Sequence, residues 1–429
     1  MKSLFKNWLI AILKCEARLA LIRYRPRIVA ITGSVGKTST KDAIAYALAP
    51  FFSVRKSEKS FNSDFGVPLT ILGLKNAVNN PFLWFTNLVV GAVRAVWPEK
   101  GLDWLVLEVG AGEPGDIKKF AKMLAPDIVV VTCFHAVPVH VEYFSSPEAV
   151  IAEKTELVRA VREGGVLVLN ADDEKVHSLK NAFPNLQAVL FSANTVADVR
   201  GADYEVMYET GLPVGISFRV LAGEQSLAVK VRGVLGRHLM QPVLAAFAVT
   251  HSLGLDVWRA ADTFQRFATS PGRMRLISGV NNSLIIDDSY NASPIAVKEA
   301  LTALGSLAVR GRKVAVLGVM AELGAFSAEE HREIGVLAAK NCSELVVVGK
   351  SAQEIAAGAR ASGMPAAQVR FYIDSTEAAG ELSRTIQAGD VVLVKGSQSA
   401  RMERVVKALM QEPERAQELL VRQEKEWFR

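Results

Sequence analysis

The stretch RIVAITGSVGKTSTKDAIAYAL, Arg27 to Leu48, constrains the fold more than any other part of this chain. An apolar run meets Gly33, Ser34, Val35 and Gly36, then Lys37, Thr38 and Ser39, and a helical pattern follows. Glycines let backbone N–H groups wrap anionic oxygens, and a helix N-terminus adds a favourable dipole. Lys37 is placed to lie between outer phosphates, and Thr38 to hold Mg²⁺. The spacing is tighter than the common G-x-x-x-x-G-K-[ST], because only Ser34 and Val35 separate the glycines. The expectation is a strand, a phosphate-binding loop and a helix, beginning only about thirty residues into the chain.

From Arg27 onward, apolar runs of strand length (IVAIT, WLVLEVG, DIVVVT, GVLVLN) alternate with helix-like stretches. That pattern predicts a mostly parallel sheet covered by helices on both faces. Between Asp198 and Arg232 the period becomes two, which predicts a small antiparallel sheet. GRHLMQPVLAAFAVTHSLG then reads as a helix, and SPGRMR supplies a Pro-Gly break. Beyond it the alternation restarts with SLIIDD, KVAVLGVM, ELVVVG and DVVLVKGS, a second α/β unit of the doubly wound kind. The predicted division is an N-terminal amphipathic helix over 1–26, an ATP-binding domain over 27–269 and a Rossmann-like α/β domain over 270–429. The charged tail after Gln411 reads as a solvated helix.

The 429 residues suggest two or three domains, and the net charge of +6 suits anionic ligands or an anionic surface. Basic residues are scattered, without the basic-aromatic interleaving of a nucleic-acid surface. Cys15, Cys133 and Cys342 lie far apart, which argues against a disulfide framework or cysteine zinc site and fits a reducing cytoplasm. Two segments raise the question of a membrane. Residues 5–24 form either a helix packed on the body or one lying in a membrane interface with Phe5, Trp8, Leu9 and Leu13 inward. Residues 81–97 carry Arg94 as their single charge and read as a buried or interfacial helix rather than a span.

Further polar residues sit where chemistry could use them. Glu108 ends an apolar strand before a glycine-rich turn, a position that can complete a Mg²⁺ site. His140 and Lys154 are fourteen residues apart across a loop and a helix start. A lysine near metal is held neutral, and a neutral amine can take up CO₂ as an anionic carbamate. Asp288, in IIDDSYNASP, could accept hydrogen bonds from ribose hydroxyls, and Lys395, in VLVKGSQSARME, suits an anionic substrate or developing charge.

Together TGSVGKTSTKD, FNSDFGVPLT, LEVGAGEPGDI, HVEYFSSPEAVIAEKTEL, LNADD, PGRM, IDDSYNASP, MAELG…H…IG and VKGS…ME resemble the Mur ligases, collinearly from Ile28 to Lys407. These are ATP-dependent amide-bond-forming enzymes of cell-wall precursor synthesis. The nearest branch adds D-alanyl-D-alanine to UDP-N-acetylmuramoyl-tripeptide. The resemblance implies an acyl phosphate made from ATP and a substrate carboxylate, then attacked by an amine. It implies that Gly33, Ser34, Gly36, Lys37, Thr38, Ser39 and Asn62 serve the nucleotide, joined by Arg273, Asp288 and Asn291. It further implies two Mg²⁺ sites drawn from Thr38, Glu108, His140 and carbamylated Lys154, with Lys395 facing the amino substrate. The expected enzyme is a cytoplasmic monomer acting on a cell-wall peptide precursor, with peripheral membrane contact open.

This sequence departs from the family pattern in places. Leu239 and Pro242 replace the asparagines of G-x-H-N-x-x-N, and Ser63 and Asp64 replace Asn-Glu after Asn62. Gly318-Val319-Met320 replaces Gly-Asp-Met, and Gln398 replaces the arginine of Lys-Gly-Ser-Arg. A single helix stands where the usual member carries a UDP-sugar domain. A folylpolyglutamate- or cyanophycin-type ligase and a non-catalytic ATP-binding scaffold are the competing readings. DDSYNASP and MAELG argue against the first, and retention of both metal positions argues against the second.

Overall fold

The computed structural model describes residues 2–58, 61–62, 64–77, 80–97, 101–135, 140–264, 267–424 and 427. Ser63 and the side chain of Phe5 lie outside the described residues. The strands are β1 (Arg27–Thr32), β2 (Val54–Lys56), β3 (Trp104–Glu108), β4 (Ile128–Val131), β5 (Val166–Asn170), β6 (Gln187–Ser192), β7 (Val199–Glu209), β8 (Leu212–Ala222), β9 (Gln225–Arg232), β10 (Arg275–Ser278), β11 (Leu284–Asp288), β12 (Lys313–Gly318), β13 (Glu344–Val348), β14 (Val369–Tyr372) and β15 (Val391–Lys395). The first sheet runs β2-β3-β1-β4-β5-β6-β7-β8-β9 and the second β10-β11-β15-β12-β13-β14. Pairing is parallel from β2 to β7 and antiparallel across β7-β8-β9. The period-two segment therefore extends the main sheet instead of forming a separate one.

The central strands are buried on both faces, which explains their unbroken apolar character. On one face Val29 and Ile31 of β1 meet Ile44 and Leu48 of α2 (Lys37–Leu48) and Phe247 of the helix Met240–Ser252. On the other, Ile28 and Ala30 meet Leu13 of α1 (Lys2–Tyr24) and Leu69 of α3 (Gly66–Leu72). Phe120 of α5 (Asp116–Leu124) and Leu157 of α6 (Pro147–Arg159) complete that face. The second sheet likewise buries Ala315 and Leu317 on one side and Val314 and Val316 on the other.

The N-terminal helix packs on the body through Leu9, Leu13, Ala17 and Ala20, while Trp8, assigned to the membrane side in the interfacial reading, is 55% exposed. Between α3 and β3 lies α4 (Pro81–Val96), started by Asn80, whose side chain accepts from the amides of Phe82 and Leu83 at 3.0 and 3.2 Å. Of the buried and interfacial alternatives, α4 is not the fully buried one: only Gly91 and Ala95 are buried, with Trp84, Leu88 and Val90 half-buried against the core. Among the described residues, no helix is long and apolar enough to cross a membrane. The tail also differs from a solvated helix. Pro413 interrupts it, a four-residue helix Ala416–Leu419 follows, and Arg422 is buried. Arg422 donates to Glu403 and to the carbonyls of Ser289 and Tyr290, tying the tail under the loop after β11.

Gly91 of α4 faces Glu16 of α1. A Cβ there would lie 2.2 Å from Glu16 Oε2, an oxygen that is buried without a hydrogen-bond partner. Desolvation pushes the Glu16 carboxyl from its ordinary 4.5 up to about 7. Between those values the folded chain holds a proton that the unfolded chain releases, so this group's contribution to stability falls as pH rises. Glu16→Gln should therefore raise the melting temperature above pH 7. The gain should shrink toward zero near pH 4.5, measured by thermal unfolding across that range, and a pH-independent difference would contradict this account.

Candidate active site

The loop between β1 and α2 is held from below by the end of β4. Ser34 N donates to the Cys133 carbonyl at 2.9 Å, and Thr132 Oγ1 donates to the Val35 carbonyl at 2.7 Å. Gly33 has φ +141, and a Cβ on it would fall 2.0 Å from Thr132 Oγ1, so this close approach requires glycine. Gly36 sits at φ 81 as the N-cap of α2 and supplies no side-chain cap, which leaves the first turn's amides facing the loop. Lys37 reaches back to the carbonyls of Gly33 and Ser34 at 2.9 and 3.3 Å. Burial lowers its pKa, opposed by the nearby Glu108 carboxylate.

Thr38 is the meeting point of both sheets. Its hydroxyl donates to Glu108 Oε2 at 2.9 Å and accepts from Arg273 Nη2 at 3.4 Å. Asn62 Nδ2 holds the other Glu108 oxygen at 3.0 Å. Arg273 arrives from the segment that leads into β10, with its guanidinium 4.1 Å from the centre of the Tyr290 ring. In the same crossing, Asp42 of α2 accepts from Ser270 Oγ and Lys56 Nζ, both at 2.7 Å.

Lys154 projects from α6 into the back of the loop, where its amine donates to Ser34 Oγ at 2.9 Å. Burial, reinforced by the Lys37 cation, pushes the Lys154 amine down to about 7. The register of α6 is fixed by the preceding residue. Glu153 accepts from the amides of Gly115, Ile117 and Lys118 at 2.9, 2.8 and 3.1 Å and so caps α5.

His140, at φ 67, pairs through Nδ1 with Glu322 Oε2 at 2.6 Å. Burial lowers its pKa, and the Lys37 and Lys154 cations add to that against Glu322. The expected metal set thus stands in two parts, Thr38 with Glu108 and His140 with Lys154. Both border Lys37, and among the described residues no cluster of three His, Cys, Asp or Glu side chains forms. Because the two lie on loops of different sheets, nothing local in the sequence marks His140's partner as Glu322. Its loop is set by buried His331, which accepts from Met320 N at 2.9 Å through Nε2 and contacts the Ser327 carbonyl at 2.6 Å through Nδ1. A donating Nδ1 and an accepting Nε2 describe a neutral imidazole, consistent with the burial that lowers its pKa.

In the second sheet, register places Asp288 of β11 beside Lys395 of β15. The two form a buried ion pair at 2.5 Å, and Lys395 also donates to the Asn291 carbonyl at 3.0 Å. Asp287 points the opposite way and accepts from Gly272 N and Ser289 N. Ser397 links three loops, through Val319 O, Ala321 N and Ala292 O. Leu239 and Pro242 are core residues at the start of the helix Met240–Ser252. The polar contact there comes from Gln241, whose amide donates to Asp172 at 2.7 Å.

Residues 31–250 match the Mur ligase middle domain and residues 272–398 the Mur ligase glutamate ligase domain. The UDP-N-acetylmuramoyl-tripeptide–D-alanyl-D-alanine ligase of Mycobacterium tuberculosis is 33% identical over 403 residues, covering 89% of this chain and 72% of that protein. The protein of the same name from Bacillus subtilis is 28% identical over 388 residues, covering 90% and 76%. Among solved structures, MurF of Thermotoga maritima in complex with ADP superposes with a TM-score of 0.74 at 26% identity, covering 95% of this chain and 84% of that one. MurF of Acinetobacter baumannii gives 0.76 at 24% identity, covering 93% and 79%, and shares the fold.

Removing one partner of the buried pair between β11 and β15 leaves an uncompensated charge. Asp288→Ala should therefore lower stability by about 3–5 kcal/mol in urea unfolding, with much of the loss recovered when Lys395→Met is added. A neutral Asp288→Ala would contradict the pairing.

Proposed function

The chain belongs to the Mur ligase family, and from that premise we propose that it joins an amino acid or dipeptide, such as D-alanyl-D-alanine, to the carboxylate of a cell-wall peptide precursor. ATP would phosphorylate that carboxylate, and the amine would displace phosphate from the acyl phosphate. The observation that carries the reading is Thr38, held at once by Glu108 on the first sheet and Arg273 from the approach to the second. Phosphoryl transfer between two anions needs cations converging on the transferred group, and the boundary between two sheets is where closure can bring them together.

We assign the loop over Gly33, Ser34, Gly36, Lys37, Thr38 and Ser39 to the ATP phosphates. Asn62 orients Glu108, and Arg273 adds charge from the opposite side. Mg²⁺ suits the oxygen pair of Thr38 and Glu108, which stand 2.9 Å apart. This ion is commonly held by one or two protein oxygens together with substrate phosphates, so a full protein cage is not required. His140 and Lys154 would hold a second ion, which would neutralise charge on the reacting oxygens when bound. The neutral form of Lys154 favoured by burial is the form that adds CO₂, forming an N–C bond and releasing a proton to solvent. Asp288 and Asn291 would approach the nucleotide, and Lys395 would act on the amino substrate from its pair with Asp288. We place this reaction in the cytoplasm, carried out by a monomer organised as 1–26, 27–269 and 270–429.

Phosphate release should require ATP, Mg²⁺, UDP-N-acetylmuramoyl-tripeptide and D-alanyl-D-alanine together. Lys154→Ala should lower the rate by at least about 100-fold, with partial recovery in formate or acetate. Release that ignores every acceptor and amine pair would overturn the ligase reading, while full activity of Lys154→Ala would overturn the carbamate alone.

A further inference from the structure

The outer face of α4 is apolar along its whole length. Phe82, Phe85, Val89, Val93 and Val96 are exposed, followed by Trp97, with Phe82 and Trp97 each 75% exposed. Their spacing follows the helical repeat, so they form one stripe about 22 Å long at 1.5 Å per residue. Arg94, the single charge of α4, turns inward and donates to the carbonyls of Leu72 and Gly73 at 2.8 and 2.6 Å. Among the described residues the outward stripe therefore carries no charge. Patches of this size on a folded protein mark interaction sites.

The neighbouring helix α1 adds exposed Trp8, Leu19 and Ile22. It also exposes Lys6, Arg18 and Arg23, and Arg25 follows just beyond it. Its one acid, Glu16, faces Gly91 in the seam between the helices. The nearby Asp64 is paired with Lys14 at 2.6 Å. The combined surface is thus a charge-free apolar stripe with aromatic side chains at both ends, flanked by cations and without an exposed carboxylate on either helix.

We infer that α1 and α4 form a docking surface for an anionic lipid bilayer, with the α4 stripe entering the headgroup boundary and the α1 cations meeting lipid phosphates. Apolar side chains and aromatic rings are stabilised at that depth, and each nearby cation adds to the attraction. A second copy fits less well, since an isologous contact would bring the α1 cations to a face that offers no carboxylate. Docking would also account for the apolar open side of α4, whose polar Asn87 and Arg94 are turned to the carbonyls of Lys75, Leu72 and Gly73.

The test is co-sedimentation of the full chain with vesicles of phosphatidylcholine alone and of phosphatidylcholine with about one third phosphatidylglycerol. The wild type should pellet with the anionic vesicles, and less so as salt rises. Arg18→Gln and Arg23→Gln should each weaken binding about fivefold, and Phe85→Glu should remove it. ATP turnover and melting temperature should stay unchanged in all three, because these side chains lie on the surface away from the loop. Absence of binding to either vesicle would overturn the inference. So would binding to both that survives Phe85→Glu, or a dimer in sedimentation velocity that this substitution splits.

Discussion

The hydroxyl of Thr38 is the contact on which the rest of the site depends. It is the second residue of α2, so its place follows from the turn at Gly33 and Gly36 and from β1, the strand that leads into that turn. Parallel pairing of β1 with β3 brings Glu108 to the same end of the sheet, where a carboxylate and a hydroxyl meet at 2.9 Å. Arg273 reaches the same oxygen from the segment that joins the two sheets. In the proposed reaction the loop after β1 would cradle the phosphates and Arg273 would add positive charge from the approach to the second sheet.

The parts legible in the sequence were those set by local backbone demands. The tight turn between β1 and α2 could be read from its glycines because Gly33 lies against Thr132, where a side chain has no room. The two parallel sheets could be read from unbroken apolar runs, since strands covered on both faces have no polar side to display. What stayed hidden depends on contacts across the sequence. Asp287 and Asp288 look alike in IIDDSYN, yet alternation along β11 sends one to the Pro-Gly turn and the other to Lys395. Lys154 and Glu153 are adjacent acid and base whose tasks separate only once α6 lies against α5 and the loop.

Other expectations failed for identifiable reasons. An apolar segment with one charge reads as buried or interfacial, and α4 divides between the two, half-burying Trp84, Leu88 and Val90 on the core while Phe82, Phe85, Val89 and Val93 stay exposed. The charged tail reads as solvated, but Arg422 finds a carboxylate and two carbonyls beneath the loop after β11. His140 was recognisable as a candidate, whereas its partner Glu322 belongs to the second sheet's loops and has no local signature. In each case the deciding partner lies far away along the chain.

In the proposed reaction a carboxylate oxygen of the acceptor passes to phosphate as the amide forms. The direct measurement uses acceptor labelled with ¹⁸O in its reacting carboxylate, with mass analysis of the inorganic phosphate released during turnover with ATP and the amino substrate. Attack of the carboxylate on the γ-phosphorus followed by amine attack on the carbonyl carbon transfers one ¹⁸O to each phosphate. Phosphate free of ¹⁸O, released at the rate of amide formation, would contradict the account.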